Sequence, residues 1–171
     1  ETAGTETAEW QLDADPESTG IIVGRRANLP GTSRESLLYY QRPVEQEGTV
    51  EYEFFYQPGR IITHPALDRM ALMIQPDGVR IHGMTDDIFD TSELAPDNLQ
   101  EEPRNRRGPD PLPLLPDAWN RAEVAVKGLE LTLRLNGQAV FQRTLEAGNR
   151  RTFGFFHYSD ATEARVRRVF M

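Results

Sequence analysis

WNRAEVAVKGLELTLRLNGQAVFQ, residues 119–142, is the stretch whose reading decides the fold. Apolar and polar side chains alternate with period two through three successive runs, the pattern of half-buried strands. Lys127-Gly128 and Asn136-Gly137 separate the runs, and short glycine-bearing turns of this kind join antiparallel strands tightly. The stretch is therefore predicted to be a β-meander. With Lys127-Gly128 and Asn136-Gly137 as two-residue turns, Val124 faces Leu131 and Leu133 faces Val140. Ala122, Val124, Val126, Leu129, Leu131, Leu133, Leu135 and Val140 then share one face, and Glu123, Lys127, Glu130, Thr132 and Arg134 the other. An apolar stripe of that length needs a second layer over it, because a sheet with one wet face must pack its dry face against something.

Working outward, residues 48–57 place Val50, Tyr52, Phe54 and Tyr56 on one face and Glu51, Glu53 and Phe55 on the other, and Pro58-Gly59 ends the run with a turn. Residues 21–23 and 37–41 are short β-branched or aromatic runs, read as strands. Residues 71–74 and 79–82 flank Pro76-Asp77-Gly78 as a hairpin, and residues 151–158 and 164–170 close the chain after a turn at Gly148-Asn149. Residues 60–69, which include His64, Asp68 and Arg69, read as a loop dense in hydrogen-bonding groups. Residues 1–18 read as an acidic linker or disordered start, with six Asp or Glu and no Lys or Arg before residue 20. Trp10 and Leu12 interrupt that composition and can lay an opening strand on a sheet edge. Residues 19–171 form one domain. Within it, residues 84–118 carry six of the 12 prolines and nine acids, the composition of a long irregular insertion. Ile88-Phe89 and residues 112–115 are its candidate anchors.

Trp119-Asn120, Gly128 and Leu135-Asn136-Gly137 resemble a pattern of laminin G-like and concanavalin A-like jelly rolls, and of bacterial domains assigned as 3-keto-disaccharide hydrolases. Residues 151–157, RTFGFFH, and 164–169, ARVRRV, are similar to the closing strands of that group. Residues 48–69 together with the C-terminal half resemble a bacterial family of unknown function found in large multidomain proteins. The resemblance implies an all-β, two-sheet antiparallel β-sandwich of concanavalin A-like type with one long insertion. It further implies a non-catalytic recognition module for a glycan or glycoconjugate, in a larger exported protein with neighbouring domains. A first residue of Glu1 fits an excised or processed piece.

A length of 171 residues suits one domain with a sizeable core. Nineteen basic against 27 acidic residues, a net charge of -8, argue against nucleic acid, whose phosphates need clustered Lys and Arg. No apolar run approaches the roughly 18 residues of a membrane span. Zero cysteines exclude disulfides and thiolate metal sites. No Ser-His-Asp order, phosphate-cradling glycine loop or dinucleotide fingerprint is present.

Glu51 and Glu53 project from one strand face about 6 to 7 Å apart at the backbone, a spacing compatible with the two carboxyl groups of a glycosidase. The position of a third acid is Phe55, so a glycoside-processing enzyme is the alternative to recognition, beside a structural interaction domain. His64, His82 and His157 are the three histidines; none has a partner at i+2 or i+4, and no metal or cofactor is expected. Asp86, Asp87 and Asp90 lack the glycine-spaced ladder of a calcium loop. The candidate ligand site is Glu53, His64, Arg69, His82 and His157, next to aromatic surface: a carboxylate, an Arg fork and imidazoles are the placed polar groups that ligand pockets use.

Overall fold

Two antiparallel sheets pack face to face, and the meander lies at one side of the larger. The computed structural model describes residues 10–17, 20–24, 35–45, 47–60, 62–84, 98–158 and 163–171. Within them the strands are β1 (Trp10–Asp13), β2 (Ile21–Gly24), β3 (Glu35–Pro43), β4 (Glu47–Tyr56), β5 (His64–Leu67), β6 (Met70–Gln75) and β7 (Gly78–Gly83). The second half adds β8 (Leu99–Glu101), β9 (Ala118–Lys127), β10 (Glu130–Leu135), β11 (Gln138–Thr144), β12 (Thr152–Tyr158) and β13 (Ala164–Phe170). The seven-stranded sheet runs β1-β2-β13-β4-β9-β10-β11 and the six-stranded sheet β3-β12-β5-β6-β7-β8. This is the predicted sandwich. Among the described residues no helix is long and apolar enough to cross a membrane.

The core lies between the sheets. Val50, Tyr52, Phe54, Val124, Leu131 and Leu133 from the larger sheet meet Leu67, Leu72, Ile81, Phe153 and Phe155 from the smaller. The predicted dry face is buried at Ala122, Val124, Val126, Leu131, Leu133, Leu135 and Val140. Leu129 is the correction: it is 42 % exposed. Lys127 pairs with Glu130, so the turn residues are Gly128 and Leu129, not Lys127 and Gly128. Val124 consequently faces Leu133, and Leu131 faces Val126. The second turn falls where predicted, with Leu135 opposite Gln138 and Asn136 and Gly137 at φ +48° and +82°. A bulge after Leu133 then shifts the register, so that Leu133 faces Phe141 and not Val140. Because both turn residues have positive φ, Gly137→Val should lower stability by about 2 kcal/mol while Gly137→Asn, tolerant of that conformation, stays within about 1 kcal/mol of the parent. Urea midpoints measure the difference; equal midpoints would mean the turn is drawn wrongly.

The paired asparagines of the meander are structural. Asn120 is fully buried. Its Oδ1 accepts from the Leu115 N–H (2.7 Å) and from Asn136 Nδ2 (2.8 Å), and its Nδ2 donates to the carbonyls of Leu115 (2.9 Å) and Ala118 (3.0 Å). Asn136 accepts from the Arg121 N–H (2.9 Å) and donates to the Pro113 carbonyl (2.7 Å). The two amides thus clasp the end of the insertion to the sheet and satisfy backbone groups that have no ladder partner.

The described part of the insertion stays irregular, with β8 of three residues and one 3-10 turn at Pro103–Asn105. Leu112 is buried and Leu114 packs on the core, as predicted for residues 112–115, while Leu115 is exposed. Ile88-Phe89 and the Asp86, Asp87, Asp90 group lie outside the described residues. Arg106 bridges Phe141, and the Arg107 N–H donates to the Val140 carbonyl at 2.8 Å. Gly108 follows so closely that a Cβ there would lie 2.5 Å from the Ala139 carbonyl oxygen.

Residues 60–69 are not simply a loop: His64–Leu67 form β5, buried at all four positions, between β12 and β6. Pro65 has no N–H and hid the strand from a reading by pattern. Only Ala66 and Leu67 pair with β6. Further along, the Ile74 N–H donates to His64 Nδ1 at 3.0 Å, so an imidazole stands in for a missing backbone acceptor. The opening strand predicted from Trp10 and Leu12 is β1, at the sheet edge, with Leu12 exposed.

Candidate functional site

The two sheets differ in their outer faces. That of the six-stranded sheet is buried and apolar, with Ala66, Ala71, Met73, Met84 and Phe156 in one cluster. That of the seven-stranded sheet is half-buried to exposed and lined by charged and aromatic side chains. β4, β9 and β13 build it. Phe55 lies opposite Trp119 and Glu53 opposite both Arg121 and Arg167, so an aromatic row borders a charged row. The Phe55 and Trp119 rings meet edge to face with centroids 5.4 Å apart, and the Arg167 guanidinium stacks 4.2 Å from the Trp119 centroid.

Ion pairs hold the charged groups in place. Arg167 Nε is 2.8 Å from Glu53 Oε2, and Arg168 Nη1 is 3.1 Å from Glu53 Oε1. Arg167 Nη1 also meets Glu17 Oε2 at 3.1 Å and Asp15 Oδ2 at 3.6 Å. Glu51 pairs with Arg121, and Glu123 with Arg134. Arg167 is 8 % exposed; burial disfavours its charge, and the hydrogen bonds of Glu53 and Glu17 outweigh this, so its hold on the proton is strengthened. These carboxylates and guanidiniums are preorganised hydrogen-bonding groups.

Of the five residues predicted as a ligand site, Glu53 alone stands on this face. His64 and His82 are on the other sheet, near Phe156, with ring centroids 6.5 Å and 5.2 Å from it. Arg69 lies at the β5–β6 turn and its Nε donates to the Met84 carbonyl at 3.3 Å. His157 points the opposite way, between the sheets, edge-on to Trp10 at 4.9 Å. The structure therefore gathers His64, His82 and Arg69 on one side of the smaller sheet and separates Glu53 from all of them. Burial, then the neighbouring His157 and His82, lower His64 to about 3, and burial lowers His157 to about 4. Both are neutral near pH 7. Accepting from the Ile74 N–H places the His64 proton on Nε2.

Arg121, Arg167 and Arg168 escaped the prediction. For the last two a signal was present: in Ala164-Arg-Val-Arg-Arg-Val169 the doubled Arg breaks the two-residue period, and such a break marks a bulge that aims neighbouring side chains to one face.

A family model described as Domain of unknown function (DUF1583_N) matches residues 29–171. The chain belongs to that family. No curated protein matches it in sequence. Among solved structures, the DUF1583_N chain is similar to two glycosyl hydrolase candidates from Parabacteroides distasonis ATCC 8503. One is 11% identical over 92% of this chain and 91% of that one, with a TM-score of 0.47; the other is 12% identical over 94% and 82%, with a TM-score of 0.48. A third is the carbohydrate recognition domain of Emp46p in its potassium-bound form, 12% identical over 93% and 85%, with a TM-score of 0.46.

Proposed function

We propose that this domain is a non-catalytic recognition module that binds a glycan or glycoconjugate on the outer face of its seven-stranded sheet, within a larger exported bacterial protein. The observation that carries this reading is the aromatic row of Phe55 and Trp119 beside the charged row of Glu53, Arg121 and Arg167. A sugar ring presents an apolar C–H face and a rim of hydroxyls, and these two rows offer aromatic surface with fixed donors and acceptors next to it. Recognition is favoured over glycoside hydrolysis because both oxygens of Glu53 accept from guanidinium groups and Glu51 is paired with Arg121. Both carboxylates are thus already engaged by guanidinium groups, where a hydrolase needs two carboxyl groups facing the sugar.

The test is a glycan array probed with the intact chain, followed by titration of the strongest ligand. Phe55→Ala and Trp119→Ala should each weaken binding about tenfold or more, the loss of roughly 1.4 kcal/mol of contact, with the circular dichroism spectrum retained. An array without a ligand, or affinities unchanged in both variants, would overturn the assignment. Release of product from a bound glycan, abolished by Glu53→Gln, would favour the enzymatic alternative.

A further inference from the structure

Where the proposed glycan face meets β13, regular pairing stops. Arg167 lies opposite Glu53 and Phe170 opposite Glu51, so β13 uses three steps where β4 uses two. Arg168 there adopts φ +51°, a left-handed conformation that is strained for a residue with a Cβ. Strict alternation would have turned Arg168 toward the core. The bulge instead aims two successive guanidinium groups outward, one stacked on Trp119 and both on Glu53.

One carboxylate at Glu53 does not balance two guanidiniums, and the connection between β1 and β2 supplies the remainder. Glu17 places Oε2 3.1 Å from Arg167 Nη1 and accepts at its carbonyl oxygen from Arg168 Nη2 at 3.3 Å. Its own N–H is fixed by Asp15 Oδ1 at 3.1 Å. The carboxylates around the Arg pair differ in accessibility: the side chains of Asp15 and Glu53 are 7% and 22% exposed, and that of Glu17 is 70% exposed. Glu17 is therefore the exchangeable member.

We propose that Arg167 and Arg168 form a carboxylate-binding subsite for an acidic saccharide, a uronate, and that Glu17 occupies this subsite until the ligand displaces it. The inference rests on the glycan face proposed above. The uronate carboxylate takes over the contact of Glu17 with Arg167, while the sugar ring lies along Trp119 and Phe55. The Glu17 side chain is held at one end only and lies open to water, so a ligand that adds ring contacts to the same carboxylate contact displaces it. Asp15 and Glu53 remain as the less exposed counter-charges that keep the two guanidiniums in register.

The experiment titrates the full chain with oligogalacturonate, oligoalginate and hyaluronan fragments, each against its carboxyl-reduced form, and with a sulfated oligosaccharide. At least one uronate should bind about tenfold more tightly than its reduced form. Glu17→Ala should tighten uronate binding about threefold and leave the reduced form unaffected, and Arg168→Ala, which keeps a Cβ at the same φ, should abolish the preference. Equal affinity for acidic and reduced forms, weaker uronate binding by Glu17→Ala, or tighter binding of the sulfated sugar would each overturn the proposal. The two readings fail separately. If neutral saccharides bind and lose affinity in Trp119→Ala, the glycan face stands and the uronate subsite falls; if no saccharide binds either the parent chain or Glu17→Ala, both fall.

Discussion

Acidification from pH 7 to pH 4 should cost the fold on the order of 6 kcal/mol, about 3 from each of His64 and His157. Their folded values, about 3 and about 4, lie below the ordinary value of 6.5. Below pH 6.5 the unfolded chain takes up a proton at each imidazole that the folded chain refuses. Stability is therefore complete above pH 6.5 and is lost as the pH falls toward 4. Ordinary carboxylates titrate near 4, so the slope between pH 6.5 and 5 belongs to the histidines. Since small domains are stable by about 5 to 15 kcal/mol, a loss of this size brings the domain close to unfolding. Urea titrations from pH 7 to 4 measure it. His64→Asn retains an acceptor for the Ile74 N–H and His157→Phe retains a ring against Trp10, and neither replacement titrates. The double variant should lose most of the dependence between pH 6.5 and 5. A slope equal to the parent's would show that other groups carry it.

Asn120→Ala should destabilise the domain by on the order of 4 kcal/mol, more than most single substitutions. The alanine leaves the Leu115 N–H, the carbonyls of Leu115 and Ala118 and the Asn136 amide short of four hydrogen bonds at a fully buried position. An orphaned buried polar group costs about 1 to 3 kcal/mol, and water reaching the Leu115 end offsets part of the sum. Asn120→Asp is the sharper control, because it keeps the acceptor and removes both Nδ2 donors while adding a buried charge. It should be at least as damaging. A loss below about 1 kcal/mol for Asn120→Ala would mean that the clasp does not hold the insertion to the sheet.

The meander was legible because its alternation runs uninterrupted and both hairpins contain a glycine. The misplaced first turn shows the limit of that reading. Gly128 at φ +60° fits either register, and only the exposure of Leu129, a choice made by packing of the other strands, separates them. β5 was hidden for a different reason. Pro65 argues against a central strand, and nothing local to His64 indicates that its ring would accept the Ile74 N–H ten residues away. Of the charged groups on the proposed glycan face, only Glu53 was legible. Alternation assigns Glu53 an outward direction, whereas Arg167 and Arg168 reach it from the far end of the chain, 114 and 115 positions away. Such a meeting depends on strand order, which period and turn chemistry leave open. His64, His82 and His157 are all buried, apart from the outer face of the larger sheet.

The segment Arg106–Gly108 lies against the outer side of β11, where a Cβ at Gly108 would collide with the Ala139 carbonyl. A sheet edge is a template for strands of other molecules, and copies held close together can polymerise through it. Here the last strand of the larger sheet carries its own cap, and its bulge twists the remaining groups out of line. β1 and β8, at two further edges, are four and three residues long, too short to seed a ladder. Among the described residues, three of the four sheet margins are thus protected against strand exchange, and the fourth, β3, is nine residues long.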